Sequence, residues 1–271
     1  MRLKIGEVSK LLDMPVETIR FYEQHGILNP KRKEGGKYRE YEISDIFNLT
    51  GYMYYRNMGF SLKDIIIMRK ETLSYFLSEI NKKQISVEHE IQYTIMLKKY
   101  LEDHQKKLEA VNHNLGNFWF SIQPEKKYVV FSQHDQGKCC EIDYNNPILS
   151  EWLKKMPFVT GAQHISQETL PERDIIYPSV RTLIVESRHI PFLKLPVDDS
   201  IDTVIEQLCL STIVDTRGSD DLSFELLDPA LQYIEKSGYK ICGNIIGMLL
   251  VHTCEAGEMH SYMEVIFPIE R

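Results

Sequence analysis

The 271-residue chain has no uninterrupted apolar run near the roughly 20 residues that a membrane-spanning helix needs, and it opens on a polar, helix-forming segment rather than a secretory one. Its five cysteines are odd in number and scattered, which excludes a disulfide framework. These features set the expectation of a soluble, cytoplasmic protein with reduced thiols and no membrane partner. There is no G-x-S-x-G, Walker loop, H-E-x-x-H or paired C-x-x-C. No catalytic residue, cofactor or bound metal is therefore expected, and the chain is not expected to be an enzyme. Proline and glycine are both missing between Thr72 and Leu115, so nothing in that stretch interrupts a helix.

What is present begins in the first 65 residues. Ile5, Val8 and Leu12 share one face of a short helix, and Asp13-Met14 breaks it. Pro15 suits the first position of a second helix running from Val16 to about His25. That helix buries Ile19 and turns Thr18, Arg20 and Tyr22 in other directions, with Phe21 assigned to the core and Glu23 to the helix surface or a capping role. A short helix of this kind, braced across a tight turn, fits a DNA major groove. From Asn29 to Tyr41, five cations and two tyrosines surround Gly35-Gly36, the pattern of a two-stranded wing whose Lys and Arg meet phosphates. Ser44 is expected to cap a helix from Asp45 to about Asn57, Gly59 to end it, and Ser61 to cap the next.

Charge follows the same division. Residues 1–70 hold 13 Lys and Arg against 9 Asp and Glu, a net of +4, so the whole-chain −7 leaves −11 for residues 71–271. A basic head on an acidic chain is attracted to phosphate at one place only.

The motifs Ile5-Gly6-Glu7-Val8, Arg20-Phe21-Tyr22-Glu23, Gly26-Ile27-Leu28, Tyr38-Arg39-Glu40-Tyr41 and Gly59-Phe60-Ser61-Leu62 resemble, in order and spacing, those of the MerR family of transcriptional regulators. The resemblance implies a winged helix-turn-helix over residues 1–71 that binds double-stranded promoter DNA. Its expected contacts are Thr18, Arg20, Tyr22, Arg39 and Tyr41, with Lys10, Lys37 and Lys63 at phosphates.

Over residues 72–118 a long helix is expected. Ile80, Val87, Thr94, Leu101, Leu108 and Leu115 recur every seventh residue, with Gln84, Ile91, Lys98, Gln105 and Asn112 between them. Such a repeat makes a seam for another helix, either that of a second copy or the chain's own core. A helix this polar favours the homodimer, and the family resemblance implies an antiparallel pair.

Beyond Gly116 and Pro124 the texture changes to strands and short helices. Strands are expected at Tyr128–Phe131, about Ala162–Gln167, Val180–Ser187, Leu208–Val214, Tyr239–Cys242, Ile246–Thr253 and Tyr262–Pro268. Helices are expected at Pro147–Lys155 and from Asp228-Pro229 to Gly238. Strand-helix-strand-strand occurs twice, so the fold class is α+β, with an antiparallel β-sheet domain over residues 119–271. Tyr233-Ile234-Glu235-Lys236-Ser237-Gly238-Tyr239 and Glu264-Val265-Ile266-Phe267-Pro268 resemble the GyrI-like effector-binding domain, and with the head they point to the multidrug-sensing branch of the family.

Strand alternation places Tyr262, Glu264 and Ile266 on one face and Met263, Val265 and Phe267 on the other. An acid on an apolar strand needs a partner if it is buried, either a lipophilic cation or an internal Arg or His. By resemblance Glu264 matches the acid that binds cations in multidrug-sensing members. Glu186 is a second candidate acid. Tyr144, Trp152, Tyr177, Phe192, Tyr239 and Tyr262 are candidate pocket aromatics. Two alternatives stand beside this one: a metal or thiol sensor using Cys139 and Cys140, with His113 and His134 to recruit, and a GyrI-like domain with weak hydrolase activity. The resemblance further implies an activator that engages RNA polymerase by distorting promoter DNA once its effector binds.

Overall fold

The computed structural model describes residues 2–32, 39–135, 137–172, 176–219 and 221–271. The chain forms two compact units, Met1–Thr94 and Ile95–Arg271.

In the first unit, β1 (Arg2–Lys4) leads into α1 (Ile5–Leu12) and α2 (Val16–Gln24). Asp13 takes a left-handed conformation at the break, and the Ser9 hydroxyl donates to the Met14 carbonyl at 2.6 Å, closing the turn. Pro15 stands as the N-cap of α2 rather than inside its first turn, and its carbonyl accepts from Thr18 and Ile19. β2 (Lys31–Arg32) and β1 flank β3 (Arg39–Glu42) in a three-stranded antiparallel sheet. The Gly35-Gly36 turn and Lys37 lie outside the described residues. α3 (Ile43–Asn57) begins two residues before the expected Asp45, because Glu42 rather than Ser44 is its N-cap and forms a reciprocal capping box with Asp45. Gly59, at φ 83°, ends that helix, and Ser61 caps α4 (Leu62–Met68) through Asp64 N. Val8, Ile19, Tyr22, Leu28, Tyr41 and Leu49 make the core of this head.

α5 (Leu73–Glu109) runs 37 residues, roughly 55 Å at 1.5 Å per residue, and buries none of them fully. Ile80 packs with Phe60, Ile65 and Met68, so the first position of the seven-residue repeat serves the chain's own core. The helix also stops short of Leu115. It yields at Ala110 to α6 (Val111–Asn114), where Val111 is buried, while Gly116 N donates to the Ile213 carbonyl.

The second unit continues with β4 (Phe118–Gln123), β5 (Lys126–Asp135), β6 (Lys138–Ile142), α7 (Pro147–Leu153), β7 (Thr160–Ile165) and β8 (Ser179–Glu186). Then come α8 (Ile190–Leu193), β9 (Ile201–Val204), β10 (Gln207–Asp215), α9 (Phe224–Lys236), β11 (Lys240–Ile241), β12 (Ile245–Glu255) and β13 (Glu258–Glu270). The main path of the antiparallel sheet is β4-β10-β13-β12-β7-β8-β5-β6. β5-α7-β7-β8 and β10-α9-β12-β13 are the two strand-helix-strand-strand repeats, joined where β7 pairs with β12. α9 starts at Phe224, so Pro229 lies within it rather than opening it. Its apolar side covers Leu210, Val214, Met263, Val265 and Phe267 on one sheet face.

The other face carries Cys209, Ala162, Ile184, Ile246 and Ile266 in a second cluster, with Tyr128 and Met248 against it. β4 and β5 lie far apart along the strand path, yet only Pro124 and Glu125 separate Gln123, the end of β4, from Lys126, the start of β5. The sheet must curl around this second face to bring them together.

Candidate functional site

In the head, Arg20 is exposed on α2, directly after the fully buried Ile19. Lys10 and Lys63 are also exposed, and Thr18 is half-buried. Tyr22 and Tyr41 are not available to a groove: both are buried in the head core, which corrects their assignment as contacts. Their rings fill the space between α2 and β3. Phe21, assigned to the core, is instead exposed and packs on His25 with ring centroids 4.1 Å apart. Glu23 is not a surface charge. Its carboxylate accepts from the Tyr41 hydroxyl and pairs with Arg39 Nε at 2.9 Å. Burial, and then the Glu23 hydrogen bond, push the Tyr41 hydroxyl far above the usual phenol range, so it stays a donor. This clamp fixes α2 against β3 and leaves the Arg39 side chain 44% exposed.

In the second unit, Glu264 sits centrally on β13, between Ile213 of β10 and Met248 of β12 in register, and is only 6% exposed. Its Oε2 accepts from Lys107 Nζ of α5 at 2.6 Å. The internal counter-charge is thus a lysine rather than the expected Arg or His. Lys126, 8% exposed, faces the same side of the curled sheet. Burial pushes its ammonium below the usual lysine range. The Glu264 carboxylate opposes that shift, Lys107 adds to it, and Glu186 opposes it in turn. Glu186 lies opposite Lys126 in register and pairs with Arg188 Nε at 2.6 Å. His164, on β7, packs at a tilt of 40° against Tyr128 with centroids 4.3 Å apart, and its buried Nε2 has no hydrogen-bond partner among the described residues. Sequence reasoning missed Lys126, Tyr128 and His164. Alternation through Lys126, Tyr128 and Val130 was the available signal.

Most of the candidate aromatics lie elsewhere. Trp152 is fully buried on α7, with Nε1 donating to the Pro196 carbonyl at 3.0 Å. Tyr177 belongs to the core beneath α9, and Tyr239 packs against that same core. Their assignment to the pocket is corrected, because they pack into the core on the opposite side of the sheet from Glu264. Tyr144 is 83% exposed and lines a separate cleft of about 400 Å³ beside β5 and β6, whose walls do not include Glu264. Tyr262 is half-buried and stacks on His260, and Phe192 is half-buried in α8. Cys139 and Cys140 are exposed on β6 and donate to different carbonyls, those of Glu141 and Lys138. Among the described residues no three His, Cys, Asp or Glu side chains gather closely enough to hold a metal ion.

His164 sets a pH dependence. Burial, aided by the Lys126 ammonium, pushes its pKa down to about 4 from the ordinary 6.5. Between those values the unfolded chain binds the extra proton, so stability is intact above about 6.5 and falls as pH drops toward 4, by about 3 kcal/mol for this one group. Urea unfolding of the wild type and His164→Leu at pH 7 and at pH 4.5 checks this. The variant should lose less stability on acidification, and equal losses refute the assignment.

The family model described as "MerR HTH family regulatory protein" matches residues 3–72. The chain is 27% identical over 136 residues to a ZntR-homologue transcriptional regulator of Haemophilus influenzae, covering 50% of this chain and 90% of that one. It is 37% identical over 62 residues to the regulator HmrR of Rhizobium leguminosarum, covering 23% and 47% respectively. To the transcriptional activator TipA of Streptomyces coelicolor it is 21% identical over 154 residues, covering 56% and 55%. The match thus spans about half the length of HmrR and of TipA. Among the described residues no helix is long and apolar enough to cross a membrane. Residues 3–72 thus form a MerR-family helix-turn-helix head, and the chain is similar over that head to transcription regulators.

Proposed function

We propose that the chain is a homodimeric, effector-responsive activator. In this reading a reading head (residues 1–71), a dimerisation helix (72–118) and an effector domain (119–271) act together on promoter DNA. The effector is a small lipophilic cation bound against Glu264, and its binding favours a dimer that distorts the promoter for RNA polymerase. Bending a site of this length costs about 1–6 kcal/mol, which the effector must supply through its preference for the distorting state. TipA's description as an activator supports the direction of control.

The observation that carries the reading is the buried carboxylate of Glu264, whose counter-charge is a Lys107 side chain still 48% exposed. A guest cation can replace that ammonium and return it to water, while Glu264, only 6% exposed, needs a counter-charge in either state. Cys139 and Cys140 favour the metal or thiol reading less, since their thiols donate to different carbonyls and no three metal-ligating side chains gather among the described residues. The Ser–His pairs Ser132–His134 at 3.0 Å and Ser261–His252 at 2.7 Å have their serines buried, 4% and 0% exposed, so they favour the hydrolase reading less.

The test is Glu264→Gln, titrated with tetraphenylphosphonium and with neutral triphenylphosphine oxide by tryptophan fluorescence. Losing a buried charge pairing of ~2 kcal/mol weakens the cation about 30-fold and the oxide hardly at all. Equal weakening of both would reject charge pairing.

A further inference from the structure

The curled face holds two buried charges of opposite sign that do not satisfy each other. Glu264 Oε2 takes the ammonium of Lys107 at 2.6 Å, whereas Lys126 Nζ donates to the neutral amide of Gln123 at 2.9 Å. Lys126 nevertheless feels Glu264 of β13, Glu186 of β8 and Cys209 of β10, which places it among several strands of the curl. An ammonium has three donors and needs acceptors for all of them when buried. Other buried atoms on this face have no hydrogen-bond partner among the described residues, among them His164 Nε2, Ser211 Oγ and Glu186 Oε2, the last held only as an ion pair with Arg188. Ser211 lies opposite Ile266 and Trp119 in register, hence on the Glu264 side of the sheet. Buried polar atoms are seldom left unpaired in a finished core, so unmet polar atoms gathered on one face mark a place for a guest.

A guest bearing only positive charge would satisfy Glu264 while meeting Lys126 as a like charge in a poorly screened interior. An anionic group on the same guest turns that repulsion into attraction and supplies the missing acceptors. We propose that the effector is a zwitterionic amphiphile, whose anionic oxygens are received by Lys126 beside His164 and Ser211 while its cationic end pairs with Glu264. The cationic half of this assignment rests on the proposed pairing of Glu264 with a cation; the anionic half rests on Lys126.

The two halves separate in one experiment on the full-length protein. Rhodamine 110 carries a free carboxylate beside its cationic ring system, and rhodamine 123 is its methyl ester, a cation of nearly the same shape. Fluorescence anisotropy should show the acid binding at least tenfold tighter than the ester. Lys126→Gln should bring that ratio close to one without weakening the ester, and Lys126→Arg should retain the preference. Should Lys126→Gln fail to fold by circular dichroism, Lys126→Met takes its place. Glu264→Gln should weaken both dyes by a similar factor. An ester that binds as well as the acid, or a ratio unmoved by Lys126→Gln, overturns the anionic subsite while leaving the cation reading of Glu264 standing. A preference for the acid that persists while Glu264→Gln weakens neither dye overturns the cation reading and leaves the Lys126 subsite. If neither dye binds the wild type, both fall.

Discussion

Arg20→Ala is expected to cost promoter binding about 1–3 kcal/mol per head, as losing one bidentate base contact does, and about twice that for a dimer engaging both half-sites. The expectation follows from how α2 is held. Ile19 and Tyr22 anchor one side of the helix in the head core, and Glu23 ties its end to Arg39 and Tyr41 of β3. Arg20 is left as the exposed guanidinium on a helix that cannot rotate away. Its fork suits a guanine edge, whereas the ammoniums of Lys10 and Lys63 suit phosphates. The two classes of contact should separate by salt. Arg20→Ala should lower affinity for the true operator far more than for unrelated duplex. Lys10→Ala and Lys63→Ala should instead weaken both alike, each reducing the salt slope by about one for every phosphate it no longer neutralises. Titrating operator and scrambled duplex at several salt concentrations measures both effects. A variant at position 20 that footprints with native affinity removes Arg20 from the reading surface.

The head was legible because its information is local. Ile5, Val8 and Leu12, the Asp13-Met14 break and the Ser61 cap each act within a turn or two of chain, and each appears in the structure. The tyrosines were misassigned for the opposite reason. Tyr41 finds its acceptor on Glu23, 18 residues earlier, and that pairing allows a phenol to be buried that otherwise belongs at a surface. The end of α5 was hidden in the same way. No glycine or proline stops the helix at Glu109; it stops because Val111 is drawn into the interior and Gly116 meets Ile213. β4 was overlooked although Phe118, Phe120 and Ile122 alternate with Trp119, Ser121 and Gln123 in a recognisable period of two. Alternation around Glu264 was read correctly, with Met263, Val265 and Phe267 beneath α9 and Ile266 on the other face. The partner of Glu264 lies 157 residues away on Lys107, beyond any local pattern, and so does the company that Lys126 keeps. Local rules recovered the elements, whereas the chemistry of the effector face depends on how the sheet curls.

The second large effect is expected along α5. Val87, Ile91, Ile95 and Leu101 are exposed on a helix that buries none of its residues fully, whereas Ile80 and Leu115 are engaged by their own units. An apolar stripe of this length in water needs a partner, and the surviving part of the seven-residue repeat suits a second copy of the same helix. Val87→Glu with Ile91→Glu removes four apolar side chains from such a dimer and places four carboxylates where they stood. At about 1.5–3 kcal/mol for each buried aliphatic side chain, the loss is roughly 6–12 kcal/mol, before any charge repulsion is added. Since each 1.4 kcal/mol is tenfold, dimer dissociation should rise by about 10⁴-fold or more, enough to leave monomers at micromolar concentration. Sedimentation velocity reads the change directly, and helical content by circular dichroism shows that the monomer remains folded. Operator affinity should fall with it, because a monomer keeps one head and loses the gain from binding two half-sites together. Full-sized dimers at micromolar concentration in the double variant would show that the exposed stripe of α5 is not the seam, and the homodimeric reading would then need another surface.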